Sequence, residues 1–189
     1  MEIMCDFDYP AMINKVVHLQ HERRSANLKD GVPLAIRLRP VADSDLEFLC
    51  QLYASTRDEE KKLVGWDDAQ WESFMRMQFN LQHTHYMRNY QNPTFDIIMH
   101  GHAPIGRLYI DHGAKEMRVI DICLMPEYRG RGIGSVLMRQ ILQEGDDSGV
   151  PVTLHVERNN PALALYQRLG FQVVYSAEVY CFMKSQPKA

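Results

Sequence analysis

The sequence lacks the features that define several large protein classes. No apolar run approaches the roughly 18 residues that a membrane-spanning helix needs, and the N-terminus lacks the charged and then apolar segments of a secretion signal. Only four of the 189 residues are cysteine, and they are scattered. This spacing predicts reduced side chains rather than a disulfide framework, and therefore a cytoplasmic protein. The four are Cys5, Cys50, Cys123 and Cys181.

An excess of positive charge is also missing. The formal net charge is −3, which argues against a nucleic-acid partner bound through its phosphates. The two histidine pairs, His83 with His85 and His100 with His102, lack the cysteine or carboxylate that would complete a metal site. We therefore expect solvated histidines and no metal.

The length of 189 residues suits one well-cored domain with an extension. Mixed polarity before a loop-like Asp30-Gly31-Val32-Pro33 places the boundary near residue 34. We expect an N-terminal extension over residues 1–34, with a short helix around Ala11–His21, and a single domain over residues 35–189.

The sequence does have a cluster of three glycines before a predicted helix. The apolar run 119–125 predicts a strand that stops at Pro126, and apolar residues at helical spacing predict a helix over 132–143. The N–H groups and the positive dipole end of such a helix bind phosphate. The stretch therefore predicts a site for a pyrophosphate-bearing cofactor; it comprises Arg129, Gly130, Arg131, Gly132, Ile133, Gly134 and Ser135.

The spacing of these glycines separates the candidate cofactors. The dinucleotide pattern Gly-x-Gly-x-x-Gly is absent, and no Lys-Ser or Lys-Thr follows the last glycine as in nucleoside-triphosphate loops. The pattern Arg-x-x-Gly-x-Gly is present as Arg129, Gly132 and Gly134. It resembles the acyl-CoA pyrophosphate loop of the GNAT superfamily of N-acyltransferases.

A second segment strengthens the resemblance. After an apolar strand over 152–156, the chain has the family's Asn-x-x-Ala-x-x-Leu-Tyr motif, beginning at Asn159 and ending at Tyr166, and then Leu-Gly-Phe over 169–171. Pro161 suits the first turn of a short helix, and Gly170 suits the left-handed residue after its end. The resemblance covers residues 119–171 and extends weakly back to Ile36.

The pattern of elements predicts an α+β sandwich with helices on both faces of a mixed, mostly antiparallel sheet. The helix over 132–143 is a crossover, which requires the strands on either side of it to be parallel. The resemblance implies that these two strands splay apart and that the pantetheine arm of the cofactor lies between them. The other predicted elements are a strand over 35–39, a helix capped by Asp43 or Ser44, a helix over 67–80, a hairpin over 95–99 and 105–111, and strands over 171–174 and 179–183.

The resemblance also implies roles for individual residues. Tyr166 would protonate the CoA thiolate as general acid, Asn159 would bind the pantetheine amides, and a backbone N–H near Leu124 would stabilise the oxyanion. Each has a plainer alternative, since Tyr166 could be a packing residue and Asn159 an ordinary helix cap. The predicted cofactor-binding residues are those of the glycine-rich stretch together with Leu124, Asn159 and Tyr166. Cys123, Met125 and Ala162 complete the set.

Two residues compete for the role of general base. His155 lies where relatives often carry a carboxylate, and Asp121 lies on the preceding strand, with Val119 and Cys123 expected on its face. The alternatives are a half-buried histidine bonded to a neighbour and an ion pair of Asp121 with Arg107. For the acceptor, the candidate contacts are Trp66, Tyr86 and Tyr90.

The implied function is transfer of an acetyl group from acetyl-CoA to a primary amine of a small molecule, in a ternary complex. Two alternatives remain open. The second motif is similar to that of ribosomal-protein alanine acetyltransferases, which act on a protein N-terminus, and the scaffold could serve as a non-catalytic acyl-CoA-binding module. Retention of Tyr166 favours an enzyme. Nothing in the sequence decides whether the chain forms a homodimer.

Overall fold

Seven strands form one mixed sheet in the computed structural model, which describes residues 36–188. The expected extension over 1–34, with its helix at Ala11–His21, lies outside the described residues. The spatial order is β1-β2-β3-β4-β5-β7-β6. The strands are β1 Ile36–Pro40, β2 Pro93–His100, β3 Ala103–His112, β4 Met117–Leu124, β5 Val152–Glu157, β6 Gln172–Ser176 and β7 Tyr180–Ser185.

Helices cover both faces of this sheet in the described part of the chain. Their bounds are α1 Leu46–Ala54, α2 Asp58–Lys61, α3 Asp68–Arg88, α4 Ile133–Ser148 and α5 Ala162–Arg168. One apolar core lies beneath α4 and α5, and its buried residues include Ile133, Leu137 and Met138. The other lies beneath α1 and α3, with Leu49, Met75 and Phe79 among its buried residues. The predicted sandwich is confirmed. None of the described helices is long and apolar enough to cross a membrane.

The expected parallel pair is β4 and β5, joined by α4. The two strands pair at only three positions, of which Val119 opposite Leu154 is the last. Beyond that point β4 continues to Leu124 and β5 to Glu157 without pairing to each other. Every other neighbouring pair in the sheet is antiparallel. The sheet therefore opens between the ends of β4 and β5, as predicted.

A β-bulge at Ile120 changes which residues of β4 share a face. Val119 lies opposite Ile110 and Asp121 lies opposite Tyr109, so Ile120 has no counterpart on β3. Because side chains alternate along a strand, the extra residue reverses the alternation. Val119 packs in the core beneath α4, whereas Cys123 packs in the core beneath α1 and α3. The expectation that Asp121, Val119 and Cys123 share a face is wrong for Val119.

The helix α3 is longer than its sequence pattern predicted. It begins after a capping box in which Asp67 Oδ1 accepts from the Gln70 N–H (2.8 Å), and it ends at Arg88 rather than near Asn80. No glycine or proline occurs between Gly65 and Pro93, so nothing in the chain stops the helix where its apolar stripe ends. The additional turns carry His83, His85 and Tyr86 over the sheet.

The start of α1 also differs from the prediction. Neither Asp43 nor Ser44 caps it; these residues lie in a 3-10 turn. The carboxylate of Asp45 instead accepts from the Ala42 N–H and from both ends of the Arg39 guanidinium (2.6 and 2.7 Å). The turn before α1 is thus fixed to the edge of the sheet.

Candidate active site

The N-terminus of α4 is open to an anion. Gly132 caps the helix with φ = 81°, and Gly130 before it has φ = 72°, a region that glycine adopts without strain. No side chain caps α4 and its first turn contains no acidic residue. A Cβ on Gly134 would have Leu165 Cδ2 at 4.0 Å as its nearest neighbour. The fold therefore does not require glycine at residue 134, and the first amides of α4 remain available to a pyrophosphate.

The two arginines beside this loop have distinct contacts. Arg129 Nε donates to the carbonyl oxygen of Leu124 (2.8 Å), and its Nη2 donates to Ser55 Oγ (3.1 Å). The guanidinium of Arg131 lies over the ring of Tyr128, 5.5 Å from its centroid. Arg129 thus connects the loop to the ends of β4 and α1. Both arginine side chains are exposed, so their positive charges lie at the surface beside the loop.

Backbone groups at the end of β4 point into the gap between β4 and β5. The N–H of Met125 donates to the Ile105 carbonyl of β3 (2.9 Å). Because successive residues of a strand direct their backbone groups to opposite edges, the N–H of Leu124 points into the gap. This is the donor expected for the oxyanion.

Tyr166 lies on the buried side of α5, where the charge of Asp121 acts on its phenol. The side chain is buried, and its ring contacts Phe171 edge to face with centroids 5.9 Å apart. Burial, with the charge of Asp121, raises the pKa of the Tyr166 phenol to about 12. The phenol is therefore protonated at neutral pH and has a proton to donate.

The helix motif around Tyr166 differs in one detail from its sequence interpretation. The side chain that caps α5 belongs to Asn160, whose Oδ1 accepts from the Ala162 N–H (2.9 Å). Asn159 is exposed. Gly170 follows the helix with φ = 98°, the left-handed conformation that was predicted. Capping is thus the role of Asn160, which removes the plainer alternative for Asn159.

Asp121 is held in an ion pair with Arg107. Its Oδ2 accepts from Arg107 Nη2 at 2.5 Å, and the hydroxyl of Tyr86 donates to the same oxygen at 3.4 Å. Burial by itself would lower the pKa of the Arg107 guanidinium, but the Asp121 charge outweighs it and the pKa is raised. The ion pair that the sequence offered as an alternative for Asp121 is therefore present.

Sequence reasoning missed the polar cluster around this pair. Gln82 Oε1 accepts from Arg107 Nη2 (2.8 Å), and the guanidinium lies 5.4 Å from the centroid of the Tyr109 ring. Within the described residues, Arg107 Nε and Nη1, the Tyr109 hydroxyl and His83 Nδ1 are buried without a hydrogen-bond partner. A signal existed in the sequence, since Arg107 interrupts the apolar run of β3.

His155 lies across the gap from Asp121. Its neighbours Leu154 and Val156 pack in the core beneath α4, so His155 faces the other side of the sheet, the side of Asp121. The side chain is exposed, and its ring centroid lies 4.9 Å from that of Phe182. Burial of part of the ring and the charge of Arg118 lower the pKa of His155, while Glu116 opposes them. A neutral imidazole at pH 7 can accept a proton.

The three candidates for acceptor contact do not lie together. The rings of Tyr86 and Tyr90 are neighbours at the C-terminal end of α3, with centroids 6.4 Å apart. Trp66 precedes the other end of α3 and packs edge to face on Phe74 at 5.2 Å. At about 1.5 Å per residue, the helix between them spans roughly 27 Å. Only Tyr86 and Tyr90 lie on the side of Asp121.

Metal and disulfide chemistry receive no support from the described residues. No group of three or more histidine, cysteine, aspartate or glutamate side chains could hold a metal ion there. His83 and His85 lie in α3, whereas His100 and His102 flank the turn between β2 and β3. Three cysteines of the described part are free: Cys50, Cys123 and Cys181.

A protein-family model matches most of this structure. The model described as "Acetyltransferase (GNAT) family" matches residues 52–171. The matched region begins in α1, ends directly before β6, and includes the gap between β4 and β5 with the open N-terminus of α4.

Relatives that match among curated proteins include mycothiol acetyltransferases. That of Corynebacterium jeikeium is 37% identical over 75 residues, which is 37% of this chain and 21% of the relative. That of Corynebacterium glutamicum (strain R) is 37% identical over 83 residues, which is 42% of this chain and 28% of the relative. The chain therefore spans less than a third of the length of either relative.

Solved structures with similar folds extend over more of the chain. The PaiA N-acetyltransferase of Thermoplasma acidophilum, in complex with coenzyme A, has a TM-score of 0.61 at 20% identity and covers 80% of this chain and 98% of its own. The ribosomal-protein-S18-alanine N-acetyltransferase of Escherichia coli has a TM-score of 0.54 at 17% identity and covers 82% of this chain and 96% of its own. At such identities the likeness concerns the fold.

Proposed function

Because the chain belongs to the acetyltransferase (GNAT) family, we propose that it transfers an acetyl group from acetyl-CoA to a primary amine of a small molecule. Both substrates would be bound together, and the amine would attack the thioester directly. One observation carries the proposal: the uncapped N-terminus of α4 lies in the same matched region as the gap between β4 and β5 and the protonated phenol of Tyr166.

The binding of acetyl-CoA would begin at the glycine-rich loop. The amides of Ile133, Gly134 and Ser135 would donate to the pyrophosphate, and the exposed charges of Arg129 and Arg131 would attract it. The pantetheine arm would then follow the gap, where β4 offers unpaired backbone groups. The remaining residues expected along its path are Cys123, Leu124, Met125, Asn159 and Ala162.

Besides a base, the acetyl transfer would need a donor to the oxyanion and a proton for the leaving thiolate. A bond forms between the amine nitrogen and the thioester carbon, and the Leu124 N–H would stabilise the oxyanion that develops there. The carbon–sulfur bond then breaks, and the departing thiolate would take its proton from Tyr166. The phenol would regain a proton from solvent.

We propose His155 as the acceptor of the amine's proton. Its ring is exposed and its pKa is lowered, so the neutral form prevails at pH 7. Asp121 is the weaker candidate because Arg107 and Tyr86 already bond its Oδ2.

Two comparisons bear on whether the acceptor is a small amine or a protein N-terminus. The curated relatives are named for acetylation of mycothiol rather than of a protein, whereas the likeness to an alanine N-acetyltransferase concerns the fold alone. A small amine is therefore the proposal, with a protein N-terminus as the second candidate. A non-catalytic module is disfavoured because the chain retains Tyr166 together with the complete glycine-rich loop. We also propose residues 35–189 as the catalytic domain and a cytoplasmic location.

Release of free CoA thiol from acetyl-CoA, measured with a panel of amines, tests this function. The panel contains small alkyl, aryl and sugar amines and peptides that begin with alanine. Turnover of a small amine, abolished in the Gly134→Glu variant, is the expected result. Turnover of the peptides alone would favour the second candidate, and no turnover despite CoA binding would favour a non-catalytic module.

A further inference from the structure

The sheet face that carries His155 continues into a row of aromatic rings. His155 of β5 lies opposite Phe182 of β7, and Phe182 lies opposite Tyr175 of β6. Because directly opposite residues share a face, the three rings form one row across three neighbouring strands. The next row toward the end of β5 contains Glu157 opposite Tyr180. The row on the other side contains Thr153, Lys184 and Gln172.

These rings lie on the open side of the sheet. Their strand neighbours Leu154 and Met183 are in the core beneath α4, with 2% and 0% of their surface exposed. Tyr175 and Tyr180, by contrast, are 63% and 48% exposed. We call the row His155, Phe182 and Tyr175 the aromatic row. Its packing is not needed to fill either core.

We propose that the aromatic row binds the acceptor, and that the acceptor is an amine carrying a flat apolar ring. This inference rests on the proposed function and names its substrate class. Rings prefer offset or edge-to-face contact with other rings, and the row offers such contacts at the exposed Tyr175 and His155 and at the partly exposed Phe182.

The spacing of strands sets the length of such an acceptor. Neighbouring strands lie about 4.8 Å apart, so Phe182 is one strand and Tyr175 two strands from the β5 edge of the gap. An amine at the gap, near His155, would have its ring over Phe182 if a chain of about two to four atoms joined them.

Two features favour a small ring over a second copy of the chain as the occupant. The row is continuous with the gap, because His155 belongs to both. It is also bordered by charged residues, with Lys184 in the row on one side and Glu157, opposite Tyr180, in the row on the other. A stable dimer buries about 800 Å² per partner over an apolar centre, which a single row between charged residues does not provide.

The test compares 2-phenylethylamine with n-butylamine as acceptors. We expect kcat/KM for the aromatic amine to be higher, and the ratio between the two to fall roughly 3- to 10-fold in Tyr175→Ser and in Phe182→Leu, mainly through KM. The matched control is Val174→Ser, since Val174 is 60% exposed beside the row but forms the bulge of β6. It should keep the wild-type ratio.

Four results would overturn the inference. Equal kcat/KM for both amines, or an unchanged ratio in both row variants, would remove the ring as a recognition element. Sedimentation that changes from dimer to monomer in Tyr175→Ser with the ratio unchanged would make the row an interface. If no amine is turned over, 2-phenylethylamine is titrated calorimetrically into the CoA-bound protein. Binding to the wild type that is lost in Tyr175→Ser would support the aromatic row although the proposed function fails. No binding to the wild type would overturn both the row and the function.

Discussion

Arg107 and Asp121 face each other from the neighbouring strands β3 and β4, joined at 2.5 Å between Nη2 and Oδ2 beneath the C-terminal end of α3. Only 3% of the Arg107 surface is exposed. If residues 119–121 alternated regularly, Asp121 would share the face of Val119 and point to the core beneath α4, whereas the β-bulge at Ile120 places it on the face of Arg107. The bulge thus places Asp121 and Val119 on opposite faces of the sheet.

The first prediction concerns the stability of this pair. Asp121→Asn would leave the Arg107 guanidinium buried with no counter-charge, which costs about 3–5 kcal/mol of the free energy of unfolding. Urea unfolding monitored by circular dichroism measures the loss as a lower midpoint. The matched control is Glu47→Gln, which breaks the exposed pair of Glu47 with Arg76 (2.9 Å) and should barely move the midpoint. Equal midpoints for Asp121→Asn and the wild type would mean that Arg107 is solvated in solution.

The second prediction concerns the open N-terminus of α4. Gly134→Glu places a carboxylate in the first helical turn, where it favours the helix but repels a pyrophosphate. Titration calorimetry should show a loss of acetyl-CoA affinity of tenfold or more, with thermal stability retained. Gly134→Gln supplies the same bulk without the charge and should lose less affinity. Wild-type affinity in both variants would place the pyrophosphate elsewhere.

Residue 134 is preferable to residue 132 for this experiment. Gly132 has φ = 81°, so a branched side chain there would strain the backbone in the absence of any ligand. Gly134 lies in the helix with open space around its Cα. A change in affinity at residue 134 therefore reports on the ligand rather than on the fold.

The sequence predicted the parts of the structure that depend on local patterns. The crossover from β4 through α4 to β5 follows from two apolar runs around one helical stripe, and Gly170 follows from the left-handed end of α5. The splayed strands and the Leu124 amide came from the family resemblance, and the structure has both. These features could be predicted because apolar periodicity and a family motif are visible in short stretches of sequence, without knowledge of contacts between distant residues.

Other features depend on contacts between distant residues and could not be predicted. The bulge at Ile120 has no local signature, so the faces of Asp121 and Val119 were assigned by simple alternation. The length of α3 depends on its packing over β3, since its last turns have no regular apolar stripe. The aromatic row is assembled by strand order, because β7 lies between β5 and β6.

The third prediction concerns Tyr166 as the proton donor. Tyr166→Phe keeps the ring and its contact with Phe171 but removes the hydroxyl, so kcat should fall about 10²-fold while KM for acetyl-CoA changes little. With its pKa raised to about 12, the phenol stays protonated over the assay range and should add no basic limb to the rate profile. Tyr180→Phe, which removes an exposed hydroxyl outside the aromatic row, is the control. Full activity in Tyr166→Phe would leave protonation of the thiolate to solvent.

The last prediction separates His155 from Asp121 as the base. Because the pKa of His155 is lowered, its protonation should produce an acidic limb of kcat/KM whose midpoint lies below about 6.5, the ordinary value. His155→Ala should remove this limb, and His155→Gln should not restore it. If Asp121→Asn removes the limb while His155→Ala keeps it, the roles are reversed.

Two charged residues near His155 also predict the direction in which the acidic limb of kcat/KM moves when either charge is removed. Arg118 lowers the pKa of His155 and Glu116 raises it, and the two are paired at 2.7 Å. Arg118→Met removes the positive charge and frees the negative one, so the limb should move to higher pH. Glu116→Gln leaves Arg118 unopposed, so the limb should move to lower pH. A limb that moves in neither variant and survives in both His155→Ala and Asp121→Asn belongs to the substrate amine, and water would then accept the proton.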